Sequence, residues 1–291
     1  MVIRATPGPQ DLENPMKLGI GAFVTDLGMR PVALARAVEE RGFECLLVTE
    51  HSHIPVHYES VYPNGGEMPD YYRHCLDPFV VLSAAAAVTT TLTLGTSISL
   101  IIQRDVVQLA KEVASVDHIS DGRFFFGVGA GWLLEEMSTH GTDPAIRGAL
   151  MDEQLQALKE IWTQEKAEFH GEHVDFGPIY AWPKPVQKPH PPIYVGGQSK
   201  AGFRRIARHG DGWVAGAAAD PADVPGQIGL AAAAGLDVPI TVFGADHRTP
   251  DVVSAYRDHG VERVGLLLEP ASESETLVRL DEMAKLVDRM S

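Results

Sequence analysis

A chain of 291 residues with 45% hydrophobic residues is long enough to bury a full core, and its formal net charge of −15 would repel nucleic acid and anionic membranes at long range. Its two cysteines, Cys45 and Cys75, supply neither a disulfide framework nor a zinc-ribbon spacing. No apolar run approaches the roughly 18 residues of a membrane span and no signal-peptide core opens the chain, so the expected setting is the cytoplasm, with a small-molecule substrate and no nucleic-acid or membrane partner. Residues 1–16, with Pro7, Gly8 and Pro9, read as a loose extension before a single domain over 17–291.

In chain order, apolar runs predict strands at Leu18 to Phe23, Cys45 to Thr49, Leu92 to Ser97, Phe124 to Val128, Ile193 to Gly196, Gly212 to Ala215, Ile240 to Phe243 and Val264 to Leu268. Between and after them, apolar spacing at three and four residues predicts helices over Met29 to Arg41, Asp77 to Val88, Asp105 to Ile119, Ala149 to Thr163, Ser199 to Arg208, Pro221 to Ala234, Pro250 to His259 and Ser272 to Arg289. Continuous apolar strands suit a parallel sheet buried on both faces. Eight strands alternating with eight helices fit one α/β (β/α)8 TIM barrel with insertions in its βα loops, which typically needs about 250 residues. An open doubly wound sheet is the competing architecture, with fewer strands and a switch point.

On a barrel the βα loops at the C-terminal mouth carry chemistry. The longest, Glu50 to Leu76, interleaves His51, His53, His57, Tyr58, Tyr62, Tyr71, Tyr72 and His74 with Pro and Gly, and reads either as an aromatic lid or as a loop packed on its own barrel or on a second subunit. Gly177 to Pro192 falls at the opposite, structural end, after a small hairpin over Glu168 to Phe176 that turns at Gly171.

His51 ends strand two beside Glu50, and an imidazole at a barrel mouth is suited to acid/base work near neutral pH. His51-Ser52-His53 has the spacing of metal-dependent barrel hydrolases, but the other strand ends offer Ser97, Gly129, Gly197 and Gly244 instead of further ligands, so no metal is expected. Gly127-Val-Gly129-Ala-Gly131 fails as a dinucleotide fingerprint because Trp132 stands where the third glycine belongs. Its glycines instead clear space for a flat ring or sit in a tight turn. Gly196-Gly197-Gln198-Ser199 ends strand five and opens a helix, and with Lys200, Arg204 and Arg205 it reads as a phosphate cradle. Asp246-His247-Arg248 after strand seven is the rival cradle.

EERGFECLLVTEH, LDPFVVLSAAAAVT, LTLGTSISLIIQRDVVQLAKEVASVDHISDGRFFFGVGAGW and PPIYVGGQSKAGFRRIARHGDGW together resemble the luciferase-like monooxygenase superfamily, and within it the deazaflavin (coenzyme F-420) dependent oxidoreductases. The resemblance covers roughly Lys17 to Trp213. It implies a non-prolyl cis peptide at Ser97-Ile98 behind the cofactor ring, cofactor contact and acid/base chemistry at Glu50 and His51, and approach of the cofactor's tail to Gly129, Gly131, Gly196 and Gly197, with Gln198 and Ser199 in the same turn. A homodimer is expected.

One departure is informative. The sugar-phosphate dehydrogenases of this family carry a catalytic glutamate where this chain has Trp132, which sets it apart from their proton relay. The expected chemistry is hydride transfer between the deazaflavin and a small organic substrate, with His51 moving the proton and Phe23, Trp132 and the loop tyrosines forming an apolar substrate wall. The alternative is an FMN-dependent two-component monooxygenase on the same barrel. A metal-dependent hydrolase and a non-catalytic cofactor-binding protein stand behind both.

Overall fold

The computed structural model describes residues 16–290, so the expected extension lies outside the described residues apart from Met16, which is buried in the core. Eleven strands follow in chain order: β1 Lys17–Ala22, β2 Cys45–Val48, β3 Thr93–Thr96, β4 Ser99–Leu100, β5 Phe124–Gly129, β6 Ala167–His170, β7 Asp175–Ile179, β8 Ile193–Gly196, β9 Gly212–Gly216, β10 Ile240–Ala245 and β11 Arg263–Leu268. The sheet runs β3-β2-β1-β11-β10-β9-β8-β5 and closes through a β3–β5 pairing, every pair parallel. This is a closed eight-stranded barrel in one domain.

Two apolar shells follow from the period of two along each strand. Leu46 and Val48 of β2, Phe124 and Phe126 of β5, and Val264 and Leu266 of β11 face outward into one large core under the helices. Cys45, Leu47, Phe125, Tyr194 and Val214 point inward and fill the barrel. Inward glycines take the remaining positions because their neighbours are large. A β-carbon on Gly95 would lie 2.5 Å from the Phe125 ring, and one on Gly212 would lie 2.4 Å from the Tyr194 ring.

The barrel floor is ionic. Arg263 is buried, donates to both Glu44 oxygens at 2.7 and 3.0 Å, and stacks over the Phe125 ring at 5.1 Å. Tyr194 donates to Glu262 at 2.9 Å beside it. Each buried charge therefore has a partner, without which it would be costly.

Helices α1 Pro31–Glu40, α2 Pro78–Ala86, α3 Val106–Ile119, α4 Leu134–Thr139, α5 Arg147–Thr163, α6 Lys200–His209, α7 Val224–Ala233, α8 Pro250–Asp258 and α9 Glu273–Met290 connect the strands. Side-chain caps start four of them near the mouth: Asp77 accepts from Phe79 N and Val80 N, Asp105 from Gln108 N, Ser199 from Gly202 N and Ser272 from Glu275 N. The eight predicted helices are present, and α4 is an addition inside the loop after β5. It has no side-chain cap, which explains its silence in the sequence.

Strand three falls within its predicted run and shows the expected non-prolyl cis peptide at its end. It breaks at the Ser97–Ile98 peptide, which is cis, and resumes as β4, whose Ser99 and Leu100 pair with Val128 and Gly129. The predicted hairpin is β6–β7, and its turn is held by Glu153, whose carboxylate accepts from the N–H groups of Glu172, His173 and Val174 at 3.0, 2.7 and 2.9 Å. The proline-rich stretch runs past the barrel's lower end, where Gln187 donates to Asp117 at 2.7 Å and to Phe124 O at 2.6 Å. Among the described residues no helix is long and apolar enough to cross a membrane.

Candidate active site at the barrel mouth

A cavity of about 1190 Å3 opens at the C-terminal ends of the strands. Phe23, His51, Ser97, Gly129, Trp132 and Gly197 all reach its wall, so the strand ends bring together most of the residues singled out in the sequence. Gln198 is the exception and does not line it.

His51 lies just beyond β2 and is buried, its ring 5.2 Å from Tyr72 and 6.1 Å from Trp132. Its Nδ1 is 2.9 Å from Oε2 of Glu136, a residue of α4 that is itself buried. Ser52 N–H donates to the other Glu136 oxygen at 2.9 Å. Burial pushes the Glu136 carboxyl up, but the hydrogen bonds and charge of His51 with the Ser52 N–H outweigh it and leave the group below its ordinary value. An ionised Glu136 accepts only, so a hydrogen is assigned to His51 Nδ1, and in the uncharged form of the ring the lone pair falls on Nε2. That nitrogen has no partner among the described residues.

Glu136 escapes a reading of the sequence. The absence of a glutamate at Trp132 draws the eye, while the carboxylate that engages His51 sits four residues later. The available signal was the pair Glu135-Glu136, acidic residues in the first turn of a helix, where the macrodipole favours them.

Glu50, expected from the resemblance to contact the cofactor, also has a structural task. Although it borders the cavity, one oxygen accepts from Arg104 Nε at 2.7 Å, and the other accepts from Ser99 Oγ at 2.7 Å and Leu100 N–H at 2.9 Å. It therefore fixes the backbone immediately after the cis peptide. Arg104 also donates to Asp77 and Glu112 at 2.5 and 2.9 Å and packs over Phe79, so one half-buried guanidinium ties β2, α2 and α3 to the site.

Gly129 and Gly196 likewise serve a neighbour before any ligand. A β-carbon on Gly129 would sit 1.9 Å from Ile98 Cδ1, and one on Gly196 would sit 3.1 Å from Ile98 Cγ2. Their missing side chains make room for Ile98, which packs onto the inner barrel cluster and closes the cavity's base. Gly197 differs. Its φ is +109° and a β-carbon there would meet nothing within 4 Å, so its backbone lies open to the cavity.

Basic groups gather beside that turn, but not all those expected. Arg205 and Arg147 line the cavity, whereas Lys200 and Arg204 do not. Arg205 donates to Asp152 Oδ1 at 2.5 Å and Gly148 O at 2.9 Å, and Arg147 donates to Pro144 O at 2.8 Å. Arg147 escaped the sequence reading because it arrives from the start of α5. In the rival cradle Arg248 is exposed and folded onto Asp246, with contacts of 2.8 to 3.1 Å.

The long loop is a wall of rings. Phe23, Met68 and Tyr72 form a buried cluster packed by Tyr62, Tyr71, Trp132 and Phe243, with Tyr62 and Tyr72 hydroxyls 3.1 Å apart. Burial raises the Tyr72 and Tyr71 hydroxyl pKa values well above the ordinary tyrosine range, so both act as neutral groups. His53 turns away toward His140, and among the described residues no group of three or more His, Cys, Asp or Glu is placed to hold a metal ion.

Comparison with known proteins adds the following. An uncharacterized protein of Mycobacterium tuberculosis is 38% identical over 276 residues, spanning 92% of this chain and 98% of that protein. The coenzyme F-420 dependent tetrahydromethanopterin reductase from Methanopyrus kandleri is similar in structure, with a TM-score of 0.66 at 15% identity over 94% of this chain and 100% of that one. A type II Baeyer–Villiger monooxygenase from Pseudomonas putida, the oxygenating constituent of 3,6-diketocamphane monooxygenase in complex with FMN, has a TM-score of 0.71 at 15% identity over 95% and 98%. The family model for luciferase-like monooxygenase matches residues 29–255. On this match the chain belongs to the luciferase-like monooxygenase family.

Proposed function

We propose that this chain is an oxidoreductase that transfers hydride between the deazaflavin coenzyme F-420 and a small organic substrate. The observation that carries the reading is His51: a buried imidazole on the cavity wall, fixed through Nδ1 by Glu136, with Nε2 left for a ligand.

The residues present fit a ring cofactor with an anionic tail. Ser97 Oγ is buried at the cavity wall with no hydrogen-bond partner, a state that a polar group of a bound ring would relieve. Ser97 and Ile98 would back the ring, and the open turn at Gly197 with Ser199, Arg147 and Arg205 would hold the tail through N–H groups and positive charge. When bound, the deazaflavin supplies a carbon that gives or takes hydride, and the protein supplies orientation and exclusion of water.

His51 handles the proton. When a substrate alcohol is oxidised, its C–H pair leaves as hydride and its O–H proton passes to Nε2. Glu136 then faces an imidazolium through Nδ1–H, and their opposite charges stabilise the protonated state. Reduction of a carbonyl returns the proton from Nε2 to oxygen. Phe23, Tyr72 and Trp132 keep this exchange away from bulk solvent and favour an apolar substrate body.

FMN-dependent monooxygenation is the second reading, favoured by the FMN complex of the Pseudomonas putida neighbour. Equilibrium titration with F-420 and with FMN, read by fluorescence, separates the two. Tighter binding of F-420 supports hydride transfer, and tighter binding of FMN reverses the order.

A further inference from the structure

The carboxylate that holds His51 is also connected to the protein surface. Ser52 Oγ lies 2.9 Å from His53 Nδ1, 2.6 Å from His140 Nε2 and 3.3 Å from Glu136 Oε1. A hydroxyl has one hydrogen to give and two lone pairs with which to accept, so these three contacts cannot all be donations by Ser52.

His53 is settled first. Its Nε2 is buried without a partner, and an unpaired lone pair is more readily tolerated than an unpaired N–H. The hydrogen is therefore assigned to Nδ1, and His53 donates to Ser52 Oγ. The Ser52 hydrogen is left with two acceptors, His140 Nε2 and Glu136 Oε1.

The choice between them follows the charge on His140, which is exposed to solvent at the end of α4. A neutral His140 with its lone pair on Nε2 takes the hydroxyl hydrogen over the short contact. A protonated His140 carries hydrogens on both ring nitrogens, so it donates to Ser52 Oγ and the hydroxyl hydrogen turns to Glu136. We propose that Ser52 and His140 are positioning residues that convey the charge of a surface imidazole to Glu136 and thereby set how firmly Glu136 holds His51.

The sign follows from the geometry. A hydroxyl donating to Glu136, with a positive imidazolium behind it, draws carboxylate charge away from His51 Nδ1. Coupling of this kind is reciprocal, so the charge on His51 acts back on His140. The groups acting on His140 are His53 and Glu50 from the segment after β2, Glu136 from its own helix, and Arg104 from beyond β4. Burial and then His53 hold His140 below the ordinary histidine value, which places the change on the acidic side of that range.

The consequence for turnover rests on the reading of His51 as the acid/base group, but the coupling is measurable without substrate. Imidazole resonances of the whole chain are followed by NMR from pH 8 to 5. The expected result is a second inflection in the His51 signals that coincides with the titration of His140. It should vanish in Ser52→Ala, which keeps the backbone N–H to Glu136, and in His140→Gln, and return in Ser52→Thr, which restores the hydroxyl. A one-site His51 curve, unchanged by all three substitutions, overturns the proposal. Loss of the second inflection only in His140→Gln, with Ser52→Ala like the wild type, also overturns it, because charge would then act through space and not through Ser52. A second inflection in a protein that binds neither F-420 nor FMN sustains the coupling and refutes the functional reading instead.

Discussion

Ile98 Cδ1 occupies the space that a β-carbon on Gly129 would need, 1.9 Å from that position. The glycine after β5 and the isoleucine after β3 are thus one packing unit, and the base of the cavity depends on both. Gly129→Ala forces the Ile98 Cδ1 methyl to turn away, and because that methyl is the end of a side chain the cost should lie at the low end of overpacking, about 1 kcal/mol. Urea denaturation should show this loss, and the double variant Gly129→Ala with Ile98→Ala should recover part of it.

Gly197 should behave in the opposite manner. Space around it is open, so the cost of Gly197→Val is confined to its backbone, about 1–3 kcal/mol for a side chain held at positive φ. Its main effect should fall on binding, because the new side chain stands in the cavity beside the turn. Titration should show weaker binding of F-420, with a folded barrel by circular dichroism. Unchanged affinity would move the tail's cradle away from this turn.

Glu136→Gln tests the proton chemistry without emptying the site. Its amide can still accept from Ser52 N–H, but its NH2 then faces His51 Nδ1 and forces the hydrogen onto Nε2. The base is lost at the nitrogen that faces the cavity. Turnover should fall about 100- to 10,000-fold, the range for general acid–base groups, with binding of the cofactor retained. A variant with near-normal turnover would remove His51–Glu136 from the mechanism.

Arg104→Met leaves the Glu50 side chain buried beside Ser99 without its charged partner. Breaking a buried pair from one side costs about 3–5 kcal/mol, and the unfolding midpoint in urea should drop accordingly. The companion Glu50→Gln should also disturb the backbone at Leu100, since the second carboxylate oxygen accepts its N–H.

Stability should also fall with acid through the barrel floor. Burial pushes Glu44 up, but Arg263 and Lys17 outweigh it and hold its carboxyl below the ordinary value of 4.5. In the window below that value the unfolded chain takes up the proton first, so unfolding is favoured as pH falls. The stability that Glu44 contributes is present above the ordinary carboxylate range and is lost as pH drops through the folded value. Urea midpoints from pH 7 to 3 should decline less steeply in Glu44→Gln, from a lower starting point at pH 7.

The barrel was legible because buried parallel strands are written as unbroken apolar runs, such as CLLV in β2 and the FFF of β5. His51 and the Gly-Gly turn were legible because strand ends fall at the mouth. The pairings behind them were not. Glu136 lies 85 positions from His51, on an uncapped helix of six residues, and Arg104 lies 54 positions from Glu50. Neither distance has a periodicity to betray it. The glycines were visible, but what fills the space beside them was not. Gly129 does border the cavity, but that Ile98 packs beside it was not written in the spacing.

The ionic floor closes the barrel's far end, with Arg263, Glu44, Tyr194 and Glu262 bonded across it. Among the described residues the large cavity opens at the mouth, away from this floor. Two molecules sharing that space must queue: the one lodged deeper arrives first and leaves last. Steady-state kinetics should therefore follow a compulsory order rather than a random one.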